Sequence, residues 1–274
     1  MNKQLAVKKE AKVPSSMTEK DLEGLLSKSF DNIDSTTLTV PFFKIIAAQS
    51  ALVQPGNPAY NEKAKPGMIY NTVQDEFYDG QKGILVIPSL LQMWDLEWEQ
   101  RGDSNYPVGR HSPRENVLSQ TVKDKNNQNV LPSGNVIVTT AHHYVLRLDE
   151  SGNPAETGLI CMSKTQLKKS TKWNASQLMK SHTFDNGKKI QLSNHAQVYR
   201  LTTALEKNNK GSWYGWVINF VGMASSNASI ESQKLRDSMI AEKRELNLEG
   251  LAENKTVVNG VTSANSQGSE KTPF

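Results

Sequence analysis

Val136-Ile-Val-Thr-Thr-Ala-His-His-Tyr-Val-Leu-Arg-Leu148 is the stretch that decides the fold class. It is rich in β-branched and aromatic residues, contains neither Gly nor Pro, and is followed by the turn sequence Asp149-Glu-Ser-Gly-Asn153. Such side chains pack well on a pleated surface, and clusters of Gly, Asn and Asp reverse a chain. Asn135 to Leu148 therefore reads as a strand, and Thr157 to Met162 returns as its partner.

Working outward, the same signals recur. Asp79-Gly80 is a turn, followed by the buried-strand pattern Gly83-Ile-Leu-Val-Ile-Pro88, which Pro88 is expected to end or displace to an edge. In Gln92-Met-Trp-Asp-Leu-Glu-Trp-Glu99, Trp94, Leu96 and Trp98 alternate with Asp95, Glu97 and Glu99. Period two puts the apolar set on a core or binding face and the acids in water. From Arg101 to about Gly134 the chain is too long and too rich in Gly, Pro and Asn for a plain connection, and it is expected to be a functional or mobile loop. Downstream, Val198–Leu205 and Ser212–Val221 form a hairpin whose turn, Lys207-Asn-Asn-Lys-Gly211, supplies a glycine suited to positive φ.

Both ends change character. Residues 1–17 are lysine-rich and read as a flexible arm. Thr18 and Asp21 form a capping-box-like start, followed by Leu22, Leu25, Leu26 and Phe30 at helical spacing. At the other end, Ser225, Ser226 and Asn227 offer N-caps for a helix over Ser229–Glu249, with Leu235, Met239 and Leu246 on one side. Residues 251–274 hold little that could be buried and read as a disordered tail. The expected organisation is one β-rich domain over residues 18–250, flanked by N- and C-terminal helices.

The chain has 274 residues, 36% of them hydrophobic and 22% charged, which suits a soluble domain with a real core. It shows no apolar run of membrane-spanning length and no signal-peptide core, so the expected location is the cytoplasm of the cell that makes it. The single cysteine, Cys161, excludes an internal disulfide and a cysteine-based zinc site, and it reads as a small buried hydrophobe in a strand.

Charge is the feature that points to function. The 49 residues between Glu156 and Glu206 hold eight basic side chains and one acid, a local +7 in a chain of formal charge +4. Concentrated positive charge is the usual footprint of a polyanion partner, most often nucleic acid. In Ser163-Lys-Thr-Gln-Leu-Lys-Lys-Ser-Thr-Lys-Trp-Asn174, Lys164, Lys168, Lys169 and Lys172 supply charge for phosphates, as does Arg200 downstream. Thr165 and Ser170 supply short hydroxyl donors to the same oxygens. A helix from Thr165 would place Gln166, Lys169, Ser170 and Trp173 on one surface. Trp173 would offer a flat ring to a base, and Tyr214 and Trp216 share one face of the downstream strand. The competing reading is a solvated basic helix whose buried side is Leu167 and Trp173.

No pattern points to an enzyme, a cofactor or a metal. His142 and His143 are adjacent in a strand and face opposite ways, so they cannot share a metal. The chain lacks the glycine-rich phosphate loop, the dinucleotide fingerprint and a serine in a nucleophile-elbow context.

Three stretches carry a resemblance. Val40-Pro-Phe-Phe-Lys-Ile-Ile46, Ala64-Lys-Pro-Gly-Met-Ile-Tyr-Asn-Thr72 and Lys164-Thr-Gln-Leu-Lys-Lys-Ser-Thr-Lys-Trp-Asn174 resemble single-stranded DNA-binding replication proteins of tailed bacteriophages. The likeness covers about residues 38–221. It implies a mainly β fold with an OB-like β-barrel core carrying insertions, acting in phage DNA replication or recombination in the bacterial cytoplasm. The ending Glu270-Lys-Thr-Pro-Phe274 is similar to the Pro-Phe tips of bacterial single-strand binding proteins, which implies that Pro273 and Phe274 dock on replication or recombination enzymes. Lys271 departs from the acidic run of those tips. The alternative is a phage virion or host-directed factor that grips another protein, with residues 101–134 as its contact surface.

Overall fold

The computed structural model describes residues 40–99, 106–209 and 211–241. The strands are β1 (Phe43–Ile45), β2 (Ile69–Asn71), β3 (Glu76–Tyr78), β4 (Ile84–Trp98), β5 (Gly109–His111), β6 (Val122–Lys123), β7 (Asn129–Val130), β8 (Val136–Leu148), β9 (Pro154–Ser163), β10 (Ser181–Thr183), β11 (Lys189–Gln191), β12 (Gln197–Asn208) and β13 (Gly211–Met223). Two α-helices are described, α1 (Leu167–Met179) between β9 and β10, and α2 (Ser226–Ala241) after β13. The protein is mainly β, a curled antiparallel half-barrel sheet with a helix at its C-terminal side.

The long antiparallel pair β4–β8 is the spine. β12 pairs with β4 near its start and β5 near its end, so these two share the edge of β4 that faces away from β8. The far edge of β8 is divided in the same way, between β9 along most of its length and β7 at its beginning. β13 closes one side by pairing with β12, in a register that runs from Gln197↔Met223 to Asn208↔Gly211. On the other side Phe42 bridges Leu159 of β9, which leads into a separate three-stranded sheet, β1-β2-β3.

The sheet buries both faces. One face packs Val86, Val145, Ile160, Tyr199, Leu201 and Trp216 against Phe43 and Ile69 of the small sheet and Trp173 of α1. The opposite face packs Tyr144 and Leu159 against Leu235 and Met239 of α2. Buried on both faces, β8 reads as a nearly continuous buried run rather than a clean alternation. Gly158 makes the first layer possible, because a Cβ there would lie 2.3 Å from the Phe43 ring. A polar clasp ties the two sheets. Glu156 accepts hydrogen bonds from Asn71 Nδ2 at 2.7 Å and Tyr78 Oη at 2.8 Å, and pairs with Arg147. Each oxygen of this carboxylate is thus satisfied, which is what its burial requires.

Most predicted strands and the final hairpin form as expected, and Gly211 has φ +137°. Two readings need correction and a third is decided. Of its two expected courses Pro88 takes the edge: β4 runs through it, with a bulge between Pro88 and Leu90. The β12 pairing stops at Val86, so the missing N–H of Pro88 falls where that edge is no longer paired. Asp95 and Glu97 are not in water. Asp95 is 3% exposed and takes a hydrogen bond from Thr139, while Glu97 is held by His111 at 2.9 Å and Asn135 at 2.6 Å. Residues 106–134 are not one continuous loop: they carry β5, two 3-10 turns and the β6–β7 hairpin. The expected helix near residues 18–30, the arm at 1–17 and the tail at 251–274 lie outside the described residues, as does the end of the C-terminal helix with Leu246.

Candidate functional site

α1 begins directly at the end of β9. Ser163 is the last strand residue, Lys164 takes φ +51°, and Lys164–Gln166 makes one 3-10 turn before the α-helix starts at Leu167. A non-glycine residue in the left-handed region costs about 1–2 kcal/mol. Here it turns the chain sharply from strand to helix. The helix then follows from its composition, since Leu, Lys, Gln, Ala and Met are good helix formers and no Gly or Pro interrupts 167–179.

The predicted helical surface exists and faces inward. Gln166 Oε1 accepts the N–H of Trp216 at 3.0 Å, and Lys169 Nζ donates to the Trp216 carbonyl at 2.7 Å and pairs with Glu206. These two side chains thus satisfy the outer edge of β13 where a neighbouring strand would otherwise sit. Gly215 permits this, because a Cβ there would lie 2.6 Å from Lys169 Nζ and 2.7 Å from Gln166 Nε2. Deeper in, Ser170 Oγ lies 2.8 Å from His143 Nε2, and Trp173 stacks on the His143 ring at 4.5 Å and meets Tyr199 edge-on at 5.6 Å.

Several site assignments are corrected by this packing. Trp173 is 2% exposed and Trp216 is 4% exposed, so neither ring can stack on a base. Ser170 is buried and its hydroxyl is engaged with His143. Lys169 is engaged with Glu206 and the β13 edge. Trp173 and Ser170 lie on the side of α1 that faces the core, Trp216 lies on the core face of β13, and Lys169 is held by the open edge of that strand. Tyr214 is half-buried, and its ring lies where a Cβ on Gly67 would be, 2.5 Å from Cε1. Arg200 belongs elsewhere. It donates to the Lys82 carbonyl at 2.9 Å and reaches Glu150 at 3.4 Å. Its neighbour Tyr199 meets Trp173 of α1, and alternation along β12 puts the Arg200 side chain on the opposite face of the sheet.

Lys164, Thr165, Lys168 and Lys172 remain on the surface. Lys168 and Lys172 are one helical turn apart, about 6 Å along the axis. They make no ion pair among the described residues. The β10–β11 hairpin that follows adds exposed Lys188 and Lys189 to the solvent-facing basic side chains of this segment. It also exposes apolar groups: Leu178 is 72% and Met179 is 82% exposed, with Phe184 and Ile190 beside them in sequence.

Two further features were not legible as site elements. A pocket of about 390 Å³ lies between the β6–β7 hairpin and the start of α1. Its amide wall is the run Asn126-Asn-Gln-Asn129, which in sequence looks like any polar turn. The second is the pair of buried histidines. Burial, and then the nearby Arg110, pushes His142 down to about 4, and burial pushes His143 down to about 3. His111 is the opposite case, raised by its hydrogen bond to Glu97, which is itself lowered by Asn135 and His111. Cys161 lies against the apolar cluster under α2, and burial pushes its thiol up. Among the described residues no group of three or more His, Cys, Asp or Glu is placed to hold a metal ion, and no helix is long and apolar enough to cross a membrane. Pro273 and Phe274 lie outside the described residues.

A family model described as Pam3 phage gp34-like protein aligns with residues 7–245. No curated protein and no solved structure matches.

Proposed function

The chain belongs to the Pam3 phage gp34-like protein family, and on that premise we propose that it is a single-stranded DNA-binding protein acting in phage DNA replication or recombination. The observation that carries this reading is the outer ridge of α1. Lys168 and Lys172 face solvent there, with exposed Lys164 and Thr165 in the 3-10 turn just before the helix, and neither Lys168 nor Lys172 has an acidic partner among the described residues. Lysines at one-turn spacing suit successive phosphates, and short hydroxyls add donors to the same oxygens. Binding would be sequence-tolerant and salt-sensitive, since counterions leave the strand when lysines replace them. Base stacking contributes less than the sequence suggests, because Trp173 and Trp216 are core and Tyr214 is the assigned aromatic that keeps some exposure. The reading needs no catalytic residue, cofactor or metal, and it places the protein in the bacterial host cytoplasm. Replication or recombination enzymes would be recruited through Pro273 and Phe274. Titration of a labelled oligonucleotide with wild-type protein and with Lys168→Glu/Lys172→Glu tests it. The double variant is expected to bind more weakly and with a shallower salt dependence.

A second reading, a virion or host-directed protein-binding factor, is favoured by one observation. Leu178 and Met179 are exposed at the end of the same helix, with Phe184 and Ile190 in the adjoining hairpin. Clustered exposed apolar groups rimmed by charge are typical of protein contacts. Substituting Leu178 and Met179 by Ser separates the readings, since oligonucleotide affinity should be insensitive to it.

A further inference from the structure

The pocket between the β6–β7 hairpin and α1 has side chains that its own architecture does not require. Asp124 holds the hairpin together: its carboxylate accepts the N–H of Asn126 at 2.9 Å and of Gln128 at 2.7 Å, and its carbonyl accepts that of Asn127 at 2.9 Å. Asn127 has φ +64°, which by itself explains an asparagine there. Nothing in the turn explains Asn126, Gln128 and Asn129. Their side-chain amides make no hydrogen bond among the described residues, yet all three border the pocket. Val138 and Leu167 give it apolar surface, and Lys164 stands at the point where α1 and its lysine ridge begin.

An amide carries a donor and an acceptor side by side in one plane, and so does the edge of a nucleobase. Resting on the single-strand reading above, we propose that this pocket takes one unstacked base of a bound strand. The base edge meets the amides of Asn126, Gln128 and Asn129. Its ring face lies on Val138 and Leu167, and its phosphate is directed to Lys164. The strand then continues over Lys168 and Lys172. In a duplex the bases are stacked and paired, so the pocket selects single strands for a reason separate from charge. Adenine is the favoured occupant, because its N6 donor beside its N7 acceptor is the pairing that Asn and Gln amides meet bidentately.

The test uses the full chain and labelled oligonucleotides of roughly 16 nucleotides, the upper range for one single-strand-binding module. One is all dT, one carries interspersed dA, and one carries abasic sites at the same positions. The dA oligonucleotide is expected to bind on the order of tenfold tighter than the abasic one. Asn126→Ala/Gln128→Ala should abolish that difference while leaving the salt slope as it was. Equal affinity for all three oligonucleotides, or a difference that survives the double variant, overturns the pocket and leaves the single-strand reading standing. No binding of any oligonucleotide at low salt overturns both.

Discussion

His143 Nε2 and Ser170 Oγ lie 2.8 Å apart in the buried core and join the central strand β8 to the basic helix α1. This contact, with Trp173 stacked on the same imidazole, fixes which side of α1 faces the core and therefore which lysines face outward. Ser170→Ala would leave the buried His143 nitrogen without its partner, at a cost of about 1–3 kcal/mol. Trp173→Ala would cost about 3–5 kcal/mol. Chemical denaturation should register both losses. Oligonucleotide affinity measured well below the denaturation midpoint should be nearly unchanged for Ser170→Ala, since its hydroxyl is not at the surface.

Charge reversal divides the lysines into two groups. Lys168→Glu and Lys172→Glu should leave stability within about 0.5 kcal/mol, as surface changes do. Each should flatten the slope of log affinity against log salt by about 0.7, the value for one contact to a single strand. Lys169→Glu should act differently, because it sets a second acid beside Glu206 and abandons the Trp216 carbonyl. Its main effect is expected in the denaturation midpoint, not in the salt slope.

How much of this was legible follows from the same residues. The strands β8, β9, β12 and β13 were readable because β-branched runs between Gly and Asn turns carry their own signal. Likewise the helical spacing of Gln166, Lys169, Ser170 and Trp173 was visible in the chain. Its direction was not, because a surface of amide, lysine, serine and indole suits nucleic acid and also suits the open edge of β13. Only the position of Gly215 under Lys169 and Gln166 distinguishes the two, and that is a tertiary fact. Asp95 and Glu97 misled for a related reason: alternation reports which face a residue is on, not whether a Thr139 or an Asn135 waits there. The amide pocket depends on a hairpin meeting a helix some 35 residues later, which no local pattern encodes.

Acid should weaken the fold before the carboxylates titrate. His142 and His143 stay neutral in the folded protein down to about 4 and about 3, because burial opposes their charge. The unfolded chain takes up both protons near the ordinary histidine value of about 6.5. Below that pH the unfolded state binds more protons, so stability falls as pH drops, by up to about 1.4 kcal/mol per pH unit for each histidine. Denaturation curves between about pH 7 and pH 5 should show this trend, and His142→Phe should reduce it. A flat profile would mean that the histidines are solvated.

Gly158→Ala tests the seam between the sheets. The added methyl would enter the Phe43 ring, 2.3 Å away, in a well-packed core, with an expected loss of about 1–3 kcal/mol. Gly222→Ala is the matched control, since nothing lies within 4 Å of its Cβ position. A Gly158→Ala protein as stable as wild type would show that the small β1–β3 sheet does not press on β9.

The central claim is that α1 and its surroundings bind single-stranded DNA, and the most direct measurement is fluorescence anisotropy of a labelled oligo-dT at low and moderate salt, with unlabelled duplex of equal length as competitor. Binding that weakens steeply as salt rises, as counterion release requires, and that duplex cannot displace, is the predicted result. Absence of binding at low salt, or equal displacement by duplex, would contradict it and leave the exposed Leu178 and Met179 as the better guide to what this protein touches.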